Sequence, residues 1–194
     1  MKFESIKLYN FMRYKGETEI HFSCDNDKNV TIVLGDNTFG KTTLAQAFRW
    51  GLFEELNTTN YTKKKDIVLL NNEIIATMSP ESRQTVSVEI VICDGDTKWK
   101  FTRSAVFKRK GSGAHDLAVV QDGESKLTMV ITENGIPGKV INNNGLNSGA
   151  DEKKYKKGCV QETIENMLPR SLSNYFFFDG ERWSDSKNAK SEVK

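Results

Sequence analysis

Gly35 and, after four intervening residues, Gly40-Lys41-Thr42 carry the most explicit chemistry in this sequence. The pattern G-x-x-x-x-G-K-T is that of a phosphate-binding loop, and each residue type has a reason. Gly35 and Gly40 let the backbone turn tightly, so that the N–H groups of Asp36, Asn37, Thr38 and Phe39 converge on a polyphosphate. Lys41 brings a positive charge to the β and γ phosphates. The Thr42 hydroxyl suits a Mg²⁺ ligand, and Thr43 adds a hydroxyl contact to the α-phosphate. The N-terminus of a following helix contributes further partial positive charge. The alternative is an ordinary glycine-rich turn between a strand and a helix. The flanking pattern favours the first reading and predicts binding of a nucleoside triphosphate with Mg²⁺.

Several elements must position this loop. Val30 to Leu34 is a more continuously apolar run, as expected of a buried central strand. On the other side, Leu44, Ala47, Phe48, Leu52 and Phe53 recur at spacings of three and four, which predicts a helix over 42–56 with one apolar stripe. Gly51 lies inside it and weakens it by about 1 kcal/mol relative to Ala. Upstream, Lys2–Phe11 and Glu17–Phe22 alternate and predict a hairpin closed around Arg13-Tyr14-Lys15-Gly16. Downstream, residues 85–93 and 98–106 alternate around Asp94-Gly95-Asp96, and 127–132 precedes Glu133-Asn134-Gly135. These predict an antiparallel meander laid on the nucleotide-binding sheet. Residues 142–158 are polar and glycine-rich and read as a mobile loop, and 159–168 as a short helix stopped by Pro169. The fold class is therefore α/β. The chain divides into 1–56 (strands, phosphate loop and first helix), 67–141 (a β-rich subdomain), the loop 142–158, and 159–183 (a helix and a strand end).

Composition narrows the classes. With 194 residues the chain holds one sizeable domain. No apolar run is long enough to span a bilayer, and Met-Lys-Phe-Glu-Ser lacks the apolar core of a signal peptide. Cys24, Cys93 and Cys159 are odd in number and far apart in sequence, and read as isolated reduced thiols of a cytoplasmic protein. A formal net charge of +2 is too small to imply a nucleic-acid partner by itself. Three basic clusters, Lys63–Lys65, Lys108-Arg109-Lys110 and Lys153–Lys157, fall in predicted loops. They read either as sequence-independent DNA-backbone contacts or as solvated loop charge, and no interleaved aromatic platform favours the former. His21 and His115 have no ligand or triad company. Trp50, Trp99 and Trp183 read as packing residues.

Hydrolysis needs a Mg²⁺-supporting Asp and a water-positioning carboxylate, usually at the end of an apolar strand. The nearest segment is Phe176-Phe177-Phe178-Asp179-Gly180-Glu181. Its two acids are either that pair or an Asp-Gly turn with a solvated Glu, and the residues alone leave both open.

Phe3-x-x-Ile6-x-Leu8-x-Asn10-Phe11, Gly16 and the loop at 35–43 resemble the N-terminal half of SMC-like ATPases of the ABC type. The stretch Leu168-Pro169-x-x-Leu172-x-x-Tyr175-Phe176-Phe177-Phe178-Asp179-Gly180-Glu181 resembles the DndD family, the ATPases of bacterial DNA phosphorothioation (DNA sulfur modification). The resemblance spans about 1–57 and 159–183. It implies an ATP-binding N-terminal lobe of a P-loop NTPase head, separated by a coiled coil from a C-terminal lobe that completes the hydrolytic site. Implied partners are that lobe, a second head in an ATP-dependent dimer, DNA and other phosphorothioation proteins. It places Asp179 where the family has its Q-loop glutamine, reaching Mg²⁺ and the attacking water, and makes Arg13 a basic contact to nucleotide. Thr38-Phe39 departs from the wider ABC pattern, and bulky Phe39 stands where a second head's signature motif would approach.

A generic SMC-like repair or antiphage-defence ATPase fits the same residues, as does a nucleotide-gated interaction module that never turns over. A self-contained kinase or GTPase would need a lid arginine cluster or an Asn-Lys-x-Asp motif, and the sequence has neither.

Overall fold

The computed structural model describes residues 1–36, 39–56, 68–110, 119–144 and 158–172. Around one antiparallel sheet are gathered β1 (Lys2–Tyr9), β2 (Glu17–His21), β3 (Arg83–Asp94), β4 (Thr97–Arg109), β5 (Val119–Gln121), β6 (Lys126–Glu133), β7 (Ile136–Pro137) and β8 (Ile141–Asn142). The strand order is β2-β1-β3-β4-β6-β7, with β5 paired to β4 and β8 to β6. Every pairing among the described residues is antiparallel. The alternating sequences form these strands for the expected reason: Val86, Val88, Ile90 and Ile92 of β3 are all buried, and their neighbours are half-buried or exposed. Two-residue turns close the β3–β4 and β6–β7 hairpins. Gly95 takes φ 57° between β3 and β4, while Asn134 and Gly135 take φ 50° and 78° between β6 and β7, as an Asn-Gly turn demands. The meander is thus part of the same sheet as β1 and β2 rather than a layer on it.

One helix, α1 (Lys41–Phe53), covers the apolar face, with Leu44, Ala47, Phe48, Trp50, Leu52 and Phe53 buried against the sheet. At about 1.5–3 kcal/mol per buried large side chain, this contact is a major part of the core. Phe48 meets Phe3 edge-on at 5.1 Å, and Trp50 lies 5.5 Å from Phe11. Gly51 has a packing reason that helix propensity does not reveal. A Cβ there would lie 2.9 Å from both Ile90 Cδ1 and Val88 Cγ1, so glycine lets the helix settle onto β3. A short α2 (Asn72–Thr77) is capped by the Asn71 side chain, which accepts from the N–H of Glu73 and Ile74. α3 (Cys159–Met167) buries Val160 and Ile164 and ends just before Pro169, followed by a 3-10 turn at Arg170–Leu172.

One expectation fails. Residues 30–34 form no strand and are exposed: Val30 by 76%, Ile32 by 75% and Leu34 by 87%. An apolar run becomes a buried parallel strand only between neighbouring strands, and among the described residues none lies beside it. A second correction concerns Lys108 and Arg109, which are strand residues of β4 rather than a loop. Lys108 pairs with Glu81, and buried Arg109 donates to the Met78 carbonyl. The clusters 63–65 and 153–157 lie outside the described residues, as do His115 and Trp183. Trp50 is buried and Trp99 half-buried, as packing residues should be.

Candidate functional site

The apolar run 30–34 leads into Gly35 and Asp36, and the loop re-emerges at Phe39 and Gly40 to begin α1. Gly40 holds φ 100°, a left-handed conformation that disfavours any side chain. Its carbonyl accepts from the Leu44 N–H at 2.9 Å, which starts the helical ladder. Gly40 at the N-cap makes no side-chain cap, so α1 presents its partial positive charge and its N–H donors toward the loop. Lys41 and Thr42 are exposed there, whereas Thr43 is buried. The Lys41 ammonium is folded over the loop: Nζ donates to the carbonyls of Gly35 and Asp36, the latter at 2.8 Å. The Phe39 N–H donates to Asp36 O at 3.4 Å, and the Phe39 ring is 74% exposed. Gly35 does not use left-handed backbone, and among the described residues a Cβ there would meet only Phe39 Cβ at 3.8 Å. Of the two glycines, Gly40 takes the left-handed backbone.

The turn between β1 and β2 supports the loop from behind. Asn10 takes φ 53°, accepts from the Gly16 N–H with its side chain at 2.9 Å and donates to Thr85 O. Asn71 Nδ2 donates to Met12 O at 2.7 Å, which ties the same turn to the start of α2. The fixed turn sets Tyr14 against Gly40. Its hydroxyl donates to the Gly40 carbonyl at 3.3 Å, and its ring lies 3.3 Å from where a Gly40 Cβ would be. Burial pushes the Tyr14 phenol above its ordinary value. Arg13, expected to contact nucleotide, is exposed on this turn next to the residue that touches the loop.

The far end of α1 is held differently. Arg103 of β4 is buried and donates from Nε to Gly51 O at 3.1 Å and from Nη2 to Leu52 O at 3.3 Å. Its Nη1 reaches the Glu54 carboxylate at 3.3 Å, and Nη2 reaches Gln161 Oε1 of α3 at 3.0 Å. Gln161 Nε2 in turn donates to Leu52 O. Arg170 donates to Phe53 O at 3.3 Å and to Glu55 at 3.2 Å. Cations on terminal carbonyls satisfy acceptors the helix leaves open and complement its dipole. Burial lowers the Arg103 guanidinium to about 10, with Glu54 opposing, so it stays charged at neutral pH.

Asn37, Thr38 and Asp179 lie outside the described residues. The structure places Gly35, Asp36, Phe39, Gly40, Lys41, Thr42 and Thr43 together and Arg13 on the neighbouring turn. For Mg²⁺, the Thr42 hydroxyl offers a hard oxygen donor beside the helix N-terminus. Among the described residues no cluster of three or more His, Cys, Asp or Glu could hold a metal unaided. The donor set therefore fits a Mg²⁺ that keeps water and takes its other ligands from phosphate. Sequence reasoning missed Tyr14 and Arg103. Arg103 left a signal, since it falls in phase with buried Phe101 and Ala105 on the inward face of β4. Tyr14 left none.

No helix among the described residues is long and apolar enough to cross a membrane. A family model described as AAA domain matches residues 5–194. No curated protein matches the chain.

Proposed function

The chain belongs to the AAA-domain family, and from that premise we propose that it is the ATP-binding N-terminal lobe of an SMC-like ATPase acting in DNA phosphorothioation, of the DndD type. The observation that carries ATP binding is the uncapped N-terminus of α1, with left-handed Gly40 and the Lys41 ammonium over the loop. The N–H groups and dipole of such a terminus favour a bound anion. Lys41 would neutralise the β and γ phosphates, and Thr42 would give one oxygen to Mg²⁺. Mg²⁺, when bound, spreads the phosphate charge that builds during transfer. Asp179 is assigned the Q-loop position next to that ion. Hydrolysis is assigned to a composite site formed with the C-terminal lobe and a second head. The exposed run Val30–Leu34 supports this, because apolar β-branched residues at the loop's entrance suit a strand that pairs with a partner lobe. DNA and other phosphorothioation proteins are the proposed partners, in the cytoplasm.

Two measurements test this. ATP titrated calorimetrically with Mg²⁺ should bind the chain, while turnover by the chain alone stays far below an ordinary kcat of about 1 s⁻¹. Turnover at that rate without any other polypeptide would overturn the composite site. Disrupting the gene in its host should remove phosphorothioate linkages from genomic DNA. DNA that keeps its sulfur would leave an SMC-like ATPase of another pathway.

A further inference from the structure

Cys24 and Cys93 read as isolated in the sequence, yet their Sγ atoms lie 3.7 Å apart. Both are free thiols. The fold brings them together around the start of β1. On one side Lys2 is in register with Cys93 of β3. On the other, the chain leaving β2 stays against β1, with the Phe22 N–H donating to Glu4 O and the Cys24 thiol to Phe3 O at 3.5 Å. The two sulfurs line an open cleft of about 700 Å³ shared with Lys2, Glu4 and Lys98. Cys24 is exposed and Cys93 half-buried, so a small reagent can reach the pair. Lys2 fixes the Cys24 backbone by donating to the carbonyls of Cys24 and Asp25 at 2.9 and 2.8 Å. Lys98, hydrogen-bonded to Glu4 at 2.8 Å, brings a second ammonium to the cleft. Nothing in nucleotide binding uses this arrangement.

We propose that Cys24 and Cys93 form a reversible dithiol–disulfide pair, a covalent modification site at the end of the sheet where β1 begins and β3 finishes. The co-reactant is a low-molecular-weight disulfide of the glutathione type. One protein thiolate attacks it, forming a mixed disulfide and expelling one small thiolate, which takes up the proton the protein lost. The second protein thiolate then attacks the protein sulfur of the mixed disulfide. The Cys24–Cys93 bond forms, the mixed disulfide breaks, and a second small thiol leaves with the remaining proton. Two protein thiols are oxidised, and one small disulfide is reduced to two thiols. A bond of about 2.05 Å requires the sulfurs to approach by roughly 1.7 Å. Cys93 is held in β3 between β1 and β4. Cys24 lies outside any strand, so the approach falls on it. That segment continues into the phosphate loop's entrance, to which it is tied by the Ser23 N–H donating to Thr31 Oγ1 at 2.8 Å.

The test uses the wild-type chain and its Cys159→Ser variant, equilibrated in graded mixtures of reduced and oxidised glutathione. Samples are acid-quenched, alkylated and read by intact mass and peptide mapping. A Cys24–Cys93 linked peptide should form in both and revert with dithiothreitol. Its effective concentration should be at least tenfold higher in the folded chain than in the same chain in urea, because the fold pre-positions the sulfurs. Cys24→Ser and Cys93→Ser should each give only mixed glutathione adducts. Equal or lower effective concentration in the folded chain, a link to Cys159 in the wild type, or separate glutathione adducts on Cys24 and Cys93 would overturn the proposal.

Discussion

At its N-terminus α1 meets the phosphate loop through a left-handed glycine at the N-cap, an exposed lysine and an exposed threonine. At its C-terminus the carbonyls of Gly51, Leu52 and Phe53 are taken by side chains from β4, α3 and the 3-10 turn. A helix leaves open donors at one end and open acceptors at the other. Here the acceptors are satisfied inside the fold, and the donors and positive end of the dipole are left for a ligand. With glycine rather than Ser, Thr, Asn or Asp at the N-cap the helix gives up roughly a few tenths of a kcal/mol, a loss that a bound anion at that end would offset. The clamp ties the end of the helix opposite the phosphate loop to β4, α3 and the 3-10 turn.

Removing the clamp should give the largest effect. Arg103→Ala strips donors from two terminal carbonyls and leaves a void beside α3. The expected loss is about 2–4 kcal/mol in urea-unfolding free energy. Glu54 is half exposed and can turn to water, so the carbonyls and the void dominate. A loss under about 1 kcal/mol would mean the packing of α1 on β3, not the clamp, fixes the helix. At the open end the expectation inverts. Lys41→Ala should leave the unfolding free energy within about 0.5 kcal/mol of wild type, as for other exposed positions. It should weaken ATP binding roughly 10- to 100-fold, or about 1.4–2.7 kcal/mol, in a calorimetric titration. Undiminished affinity would remove the phosphate loop from the account.

The same contrast explains what the sequence disclosed. The long alternations predict β3, β4 and β6, the three-and-four spacing predicts α1, and Pro169 marks the end of α3, because each pattern reports burial over many residues. β7 and β8 have two residues each, too few to carry a period. α2 has six and is announced only by its Asn71 cap. Val30–Leu34 misleads because an apolar run reports what the residues would bury, not whether a neighbour is present to bury it. Of the site, the loop is legible from its motif. Tyr14 is not, because its contact with Gly40 depends on a turn fixed by Asn10 and by Asn71 from far along the chain. Gly51 shows the limit most plainly. Helix propensity says Gly51→Ala should stabilise by about 1 kcal/mol. The 2.9 Å approaches to Ile90 and Val88 say the methyl group forces helix and sheet apart, which overpacking places at about 1–3 kcal/mol against. The expected outcome is a net loss of about 1 kcal/mol in urea unfolding, and a net gain would show that α1 can rise off β3 freely.

The smallest effect comes from an arginine–carboxylate pair with none of Arg103's burial. Arg83 of β3 donates through Nε to Asp122, and both side chains are well exposed. The hydrogen bond from Arg83 holds the Asp122 carboxyl below its ordinary value. Because the folded value lies below the unfolded one, the pair's contribution is fully present above the unfolded carboxylate range, near pH 4. It is lost as the pH falls through the lower folded value. Urea midpoints of wild type and Asp122→Asn should therefore differ by a small constant amount at neutral pH, begin to converge near about pH 4 and meet below the lower folded value. High salt should shrink the neutral-pH difference, since exposed pairs are screened. Arg103→Ala should keep its full effect at the same salt concentration, because its main partners are buried backbone carbonyls. Equal salt sensitivity of the two substitutions would show that water reaches the clamp, and that the two ends of α1 differ less in solvation than their hydrogen bonds imply.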